Sequence, residues 1–256
     1  RMEAGQAVHL VAHQAYFRGA PKLAGITARL ILSDSTRELA FTSGELELMA
    51  GRREQRWVER MKAQAGVVVD ILVPGEFRTL LINTQRPPLN DLRVRQAVAH
   101  AIDVNGIIRF VGADVATRGV SPVPPGYLGM IADVPTFAPD VPRARALLAE
   151  AGFPNGITIK SVVSNISAQQ PIMELVQAML KRAGITLEME IVDHATYHTR
   201  IRQDLSGVTF YGAARYPVAD SYLTQFYHSR SSPGRPTMSL NFAHCAAADE
   251  LIDQAR

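Results

Sequence analysis

Cysteine is nearly absent from this sequence: Cys245 is the only one in 256 residues. A lone thiol permits no disulfide within the chain and no multi-cysteine metal cluster, so cysteine usage leaves the redox compartment unmarked. An excess of either charge is missing too. Lys and Arg number 27 against 24 Asp and Glu, a net +3. The pI of about 9.2 therefore reflects a small imbalance and not the concentrated basic face that nucleic-acid binding requires. Long apolar runs are lacking: the stretch 67–73 is short and interrupted by Asp70, far below the ~18 residues of a spanning helix. The start, Arg1-Met2-Glu3-Ala4, holds no apolar core of a signal peptide, although a mature or excised chain begins the same way. Nucleotide-binding glycine motifs of the G-x-x-x-x-G-K-[ST] and G-x-G-x-x-G types do not occur, which removes the easiest enzyme readings. Gly119-Val120-Ser121-Pro122-Val123 lacks the second glycine of a nucleophile elbow, so Ser121 reads as a turn residue.

What is present is an ordinary globular composition, 47% hydrophobic and 20% charged, long enough for one large domain or two small ones. Ile26–Ser33 reads as a strand, followed by a helix from Asp34 to about Ser43. Glu45–Leu48 alternates polar and apolar like a short strand, and Arg53–Gln64 is a helix burying Trp57, Val58 and Met61. Val67–Val73 and Phe77–Asn83 read as strands around a Pro74-Gly75 turn. Asn90 or Asp91 caps a strongly periodic helix through Val94, Ala97, Val98, Ala101 and Ile102, and Asp103 starts another that ends at Gly112. Residues 119–138 are too rich in Pro and Gly for either period. From Asp140 onward helices and strands alternate: helix Pro142–Ala151, strand Ile157–Val163, helix Pro171–Ala183, strand Ile185–Val192, helix Ala195–Asp204, strand Val208–Ala213. Ser229–Ser239 reads as a surface loop before a final helix around Ala246–Ala255. This order predicts an α/β fold.

Chemistry-bearing candidates are few. His194 and His198 stand four apart in a helix beside Asp193, a spacing that turns two imidazoles toward one side, where a metal or plain solvent can meet them. Asp249 and Asp253 read as helical neighbours on a solvated face. Tyr211, Arg215, Tyr216, Asp220 and Tyr222 follow or end the strand Val208–Ala213. Strand carboxyl ends are where α/β sheets bind ligands, and Tyr with Arg is a common recognition pair.

Several stretches together resemble the family 5 extracellular solute-binding proteins of ABC importers, the group with dipeptide, oligopeptide and nickel receptors. They are YFRGAPKL (Tyr16–Leu23), SDSTRELAFTSGELEL, LLINTQRPPLNDLRVRQAVAHAID (Leu80–Asp103), ARALLAEAGFPNG (Ala144–Gly156) and YGAARYPVADSYLTQFYHS (Tyr211–Ser229). The resemblance implies an α/β fold of the periplasmic-binding-protein type II kind, a mixed sheet with flanking helices. Residues 1–86 are expected to be part of lobe I and 87–256 most of lobe II, with a hinge near 83–92. It implies non-catalytic capture of a peptide-like, opine-like or oligosaccharide solute by two-lobe closure, and delivery to an inner-membrane ABC permease. The expected address is the periplasm, or the cell surface as a lipoprotein. The protein is expected to be a monomer that takes no cofactor and no nucleic acid. A metal-dependent enzyme using His194 and His198 is the alternative. Expected ligand contacts are Arg215, Tyr216, Tyr211, Asp220, Asn165 and Ser164, with no catalytic and no metal residue. In peptide-binding members the position matching Arg215 is usually an Asp that pairs with the ligand amine. The loop matching Val163–Asn165 carries an Arg in dipeptide receptors, and SVVSNISAQQ contains none. The aromatic often found three residues before that Asp is Gly212 here. Arg215 is therefore expected to donate to an anionic or polyhydroxylated ligand, or else to pair with Asp220 or Glu190.

Overall fold

The side chains of Ser33, Asp91, Asp103, Asp140 and Asp193 each cap the start of a helix. The structure, a computed structural model, describes residues 1–72, 76–237 and 240–256. It divides into two compact units, Arg1–Val67 and Val68–Arg256.

In the first unit, strands β1 (Met2–Glu3), β2 (Ala7–Val11) and β3 (Gly25–Arg29) form an antiparallel sheet in that order. Helix α1 (Asp34–Thr42) starts where the Ser33 hydroxyl accepts from the Thr36 N–H at 3.3 Å. Helix α2 (Gln55–Lys62) buries Trp57, Val58 and Met61, as its narrow apolar stripe predicts. The Trp57 indole N–H donates to Glu38 at 2.8 Å, and Arg60 also reaches that carboxylate. The Arg60 hydrogen bond is the largest influence holding Glu38 below the ordinary range. The expected strand at Glu45–Leu48 is not formed. The Glu45 and Leu46 N–H groups turn back to the Ala40 carbonyl and finish the helix instead.

The second unit begins with β4 (Phe77–Ile82). No strand forms over 67–72, and the rest of the expected Val67–Val73 strand and its Pro74-Gly75 turn lie outside the described residues. Helices α3 (Leu92–Ala101) and α4 (Val104–Val111) are capped by Asp91 and Asp103. Next come α5 (Val141–Glu150), β5 (Ile157–Ser164), α6 (Gln170–Arg182), β6 (Ile185–Val192), α7 (His194–Arg202) and β7 (Val208–Ala213). Helix α8 (Ala219–Tyr227), a short 3-10 turn at Ser229–Ser231 and helix α9 (Asp249–Gln254) follow.

Strands β5 and β6 pair in parallel, and β4 pairs antiparallel with β7. Gly156 is required at the start of β5: its φ is +91° and a Cβ there would stand 2.2 Å from the Gly184 carbonyl oxygen. Strand β7 lies beside β5, joined by Gly207 N–H to Lys160 O at 2.8 Å and by the Ser161 hydroxyl to Val208 O at 2.7 Å. One core, with Val94, Leu147, Met173 and Ile185, packs α3, α5 and α6 against β5 and β6. A second, with Tyr197, Tyr211, Tyr222 and Phe226, packs α7 and α8 against β7.

The compact units divide at Val67/Val68, so residues 83–92, where a hinge is expected, lie within the second unit. Strand β4 and the residues after it are bonded into the second unit. Asn83 Nδ2 donates to Asp204 Oδ1 at 2.9 Å, the Thr84 hydroxyl donates to Ala243 O at 2.8 Å, and Arg86 donates to the Asp204 carbonyl.

Candidate functional site

Strands β5 and β7 end together, and β4 begins at that same end, because Phe77 pairs with Ala213 and Arg78 with Gly212. Gln169, 6% exposed, ties the two strand ends: its Oε1 accepts from Ser164 N–H at 3.0 Å and its Nε2 donates to Phe210 O at 2.6 Å. The Tyr197 hydroxyl also donates to Phe210 O at 2.6 Å. Burial pushes the Tyr197 phenol up, so it stays a neutral donor.

Ser164 and Asn165 sit at this edge in different states. Ser164 is wholly buried and its hydroxyl meets His194 Nδ1 at 2.9 Å, while Asn165 is exposed beyond its N–H bond to Val192 O. Tyr211 is buried, its ring 6.0 Å from that of His198 and 5.5 Å from that of Phe242. Tyr216 projects outward at 81% exposure. Asp220 is already engaged: its Oδ1 lies 3.0 Å from Arg256 Nε and accepts from the Thr224 hydroxyl at 2.5 Å.

Arg215 takes neither of the carboxylates weighed for it. Glu190 pairs with Arg200 at 3.0 Å, and Asp220 pairs with Arg256. The Arg215 N–H donates to the Tyr222 hydroxyl at 3.1 Å, Nε donates to Gln225 Oε1 at 2.6 Å and Nη1 to Ala214 O at 2.8 Å. Its guanidinium stands 5.9 Å from the centre of the Phe226 ring. Among the described residues no carboxylate neutralises Arg215.

His194 and His198 do meet, Nε2 to Nε2 at 3.2 Å, so one ring donates to the other. His198 Nδ1 is buried with no partner among the described residues. Desolvation first, then the neighbouring His194 and Arg202, hold His198 below its ordinary value. Among the described residues no group of three His, Cys, Asp or Glu converges as metal ligands.

Two charged groups at this edge escaped the sequence reading. Glu76 and Arg78 pair at 3.1 Å beside Gly212, and Arg78 Nη1 donates to Ala168 O at 2.8 Å in the loop after β5. A signal was available: Arg78 alternates with Leu80 and Ile82, which pack on the larger core, so a cation occupies the core-facing phase of a strand.

Residues 1–234 match the family model described as bacterial extracellular solute-binding proteins, family 5, middle part. The chain belongs to that family. Family 5 is one of extracellular solute-binding proteins and not of enzymes, so the enzyme alternative at His194 and His198 is withdrawn. Similar solved structures include the solute-binding protein MoaA from A. tumefacien R10 in complex with mannopinic acid. It is 45% identical, with TM-score 0.88, over 98% of this chain and 51% of that one. The periplasmic binding protein DppA from Helicobacter pylori, in complex with the peptide STSA, is 27% identical with TM-score 0.87, over 100% of this chain and 50% of that one. Heme-binding protein A of Haemophilus influenzae is 26% identical over 77% of this chain and 37% of its own length. The chain spans about half the length, or less, of these relatives. The mixed α/β architecture with flanking helices is that of periplasmic binding proteins.

Proposed function

We propose that this family 5 chain is part of the substrate-binding component of an ABC importer and captures an acidic, polyhydroxylated amino-acid conjugate of the opine kind. Closure of two lobes traps the solute, and the closed form delivers it to an inner-membrane permease. The working protein is a monomer in the periplasm or on the cell surface, without nucleic acid or cofactor. In this reading residues 1–67 contribute to lobe I. The ladder between β4 and β7, within the second compact unit, supports that extent.

The observation that carries the ligand class is Arg215, a cation at the strand-end edge whose expected carboxylate partners are both spent on other arginines. A cation there repels the free amine of a peptide and attracts an acid. The likeness to a protein in complex with mannopinic acid, the higher in identity of the two solved structures compared above, supports the same choice.

A thermal-shift screen of the full natural receptor carrying this sequence tests the reading. The probes are mannopinic acid, agropinic acid, neutral oligosaccharides, and di- and oligopeptides. A ligand at 100 times its dissociation constant adds about 2.7 kcal/mol to stability. The expected result is a clear shift with the acidic conjugates and none with peptides; the reverse refutes the proposal.

A further inference from the structure

We propose that Arg78, laid against Gly212 and steered by Glu76, reads an acid group of the bound solute; this rests on the solute-binding function proposed above. Arg78 and Gly212 face each other across β4 and β7. A Cβ there would stand 2.2 Å from Glu76 Oε1 and 3.1 Å from Arg78 Cγ, so a larger residue forces the Glu76 carboxylate to shift. A glycine inside a strand weakens it and commonly marks a close approach by another group, and here the approaching group is an ion pair.

The guanidinium is oriented from two sides. Glu76 Oε2 accepts from Nη2 at 3.1 Å and from Nε at 3.4 Å, and Ala168 O accepts from Nη1 at 2.8 Å. A guanidinium has five N–H donors, so one on Nη1 and one on Nη2 have no protein acceptor among the described residues. The side chain is 22% exposed. Two N–H groups in a fixed planar fork match the two oxygens of a carboxylate.

Position and charge fit the same reading. Arg78 lies on the Phe210 and Gly212 side of β7, while the Arg215 guanidinium lies toward Phe226 on the other side. A solute placed across the end of β7 meets one guanidinium from each face. Glu76 cancels the charge of Arg78, and Arg215 leaves a surplus of one positive charge. That balance suits a solute with one more acid than amine.

Calorimetric titration of the full natural receptor with mannopinic acid and with its fully methyl-esterified form tests the assignment. Wild type is expected to prefer the acid at least tenfold. Arg78→Gln should bind the acid at least tenfold more weakly and lose that preference. Gly212→Ala, which displaces the Glu76 carboxylate without removing a charge, should also reduce the preference, and it decides the matter if Arg78→Gln does not fold. A preference unchanged in the variants of a receptor that binds the acid overturns the role of Arg78 alone. A wild type that binds peptides and neither form of the acid overturns the solute class and, with it, this assignment.

Discussion

The bridge formed by Gln169 and Tyr197 makes a quantitative test of how the strand ends are held. Both side chains donate to the Phe210 carbonyl at 2.6 Å, so both lone pairs of one buried oxygen are used. Tyr197→Phe removes one donor and leaves Gln169 in place, at a cost of about 0.5–1.5 kcal/mol. Gln169→Met keeps the length of the side chain and leaves Tyr197 on the carbonyl. It also strips the acceptor from the Ser164 N–H, which is wholly buried. An orphaned buried donor costs about 1–3 kcal/mol. In the double variant the Phe210 oxygen loses both partners, so a further penalty of about 1–3 kcal/mol appears that neither single change incurs. Equilibrium urea unfolding of the four proteins, with constant slope, reads these differences directly. Additivity within about 0.5 kcal/mol would show that the carbonyl finds another donor and would refute the reasoning.

The charged residues offer two further tests. Arg215→Ala removes no ion pair but takes away the Gln225 hydrogen bond and the contact with the Phe226 ring, so it should lower the unliganded melting temperature modestly while weakening mannopinic acid binding by at least tenfold, the equivalent of a charge-assisted contact of ~1.5–3 kcal/mol; equal affinities in wild type and variant would sink the direct contact. Asp91 caps α3 and accepts from Arg93, whose side-chain hydrogen bond holds the carboxyl well below its ordinary value, at about 2. Its folded-state pKa is depressed, so its support for the helix is complete above the unfolded value of about 3.9 and disappears as pH falls toward 2. Carbon-13 NMR titration of the Asp91 carboxyl should give a midpoint near 2, and an ordinary midpoint near 4 would refute the cap's electrostatic role.

Most of the second unit is legible in the sequence because its signals are local. Asp91 and Asp103 accept from an N–H two or three residues ahead and start a helix where a cap is read, and Asp140 and Asp193 do the same at two further helix starts. Of the apolar stripe of α6, Ile172, Val176 and Leu180 are buried while Leu175 and Met179 are partly exposed, and Met173 beside the stripe is buried completely. Helix α8 is not legible in that way. Val218 offers no capping side chain, and the helix is secured by burying Tyr222 and Phe226, the first of which a local reading places among the binding groups. Asp249 and Asp253 read as a solvated pair. Instead Asp249 accepts from the Ser229 N–H and hydroxyl, and Asp253 lies 3.3 Å from His228 Nε2. Nothing near position 249 announces a partner some twenty residues earlier.

The candidate site divides along the same line. Arg215 can be placed from the sequence because it follows a strand, and Ser164 and Asn165 through the resemblance of the loop after Ile157–Val163. Which of them keeps free donors cannot, because that depends on where Glu190 and Asp220 spend their charge, and both go to arginines on helix α7 or at the chain end. Arg78 shows the limit most clearly. Alternation says that it shares a face with Leu80 and Ile82, but only the β4–β7 register says that the residue opposite is glycine. A side chain at that position would meet Glu76 within van der Waals distance. The ion pair, the oriented fork and the charge balance of the edge therefore follow from a pairing between strands far apart in the chain, and periodicity within either strand is blind to it.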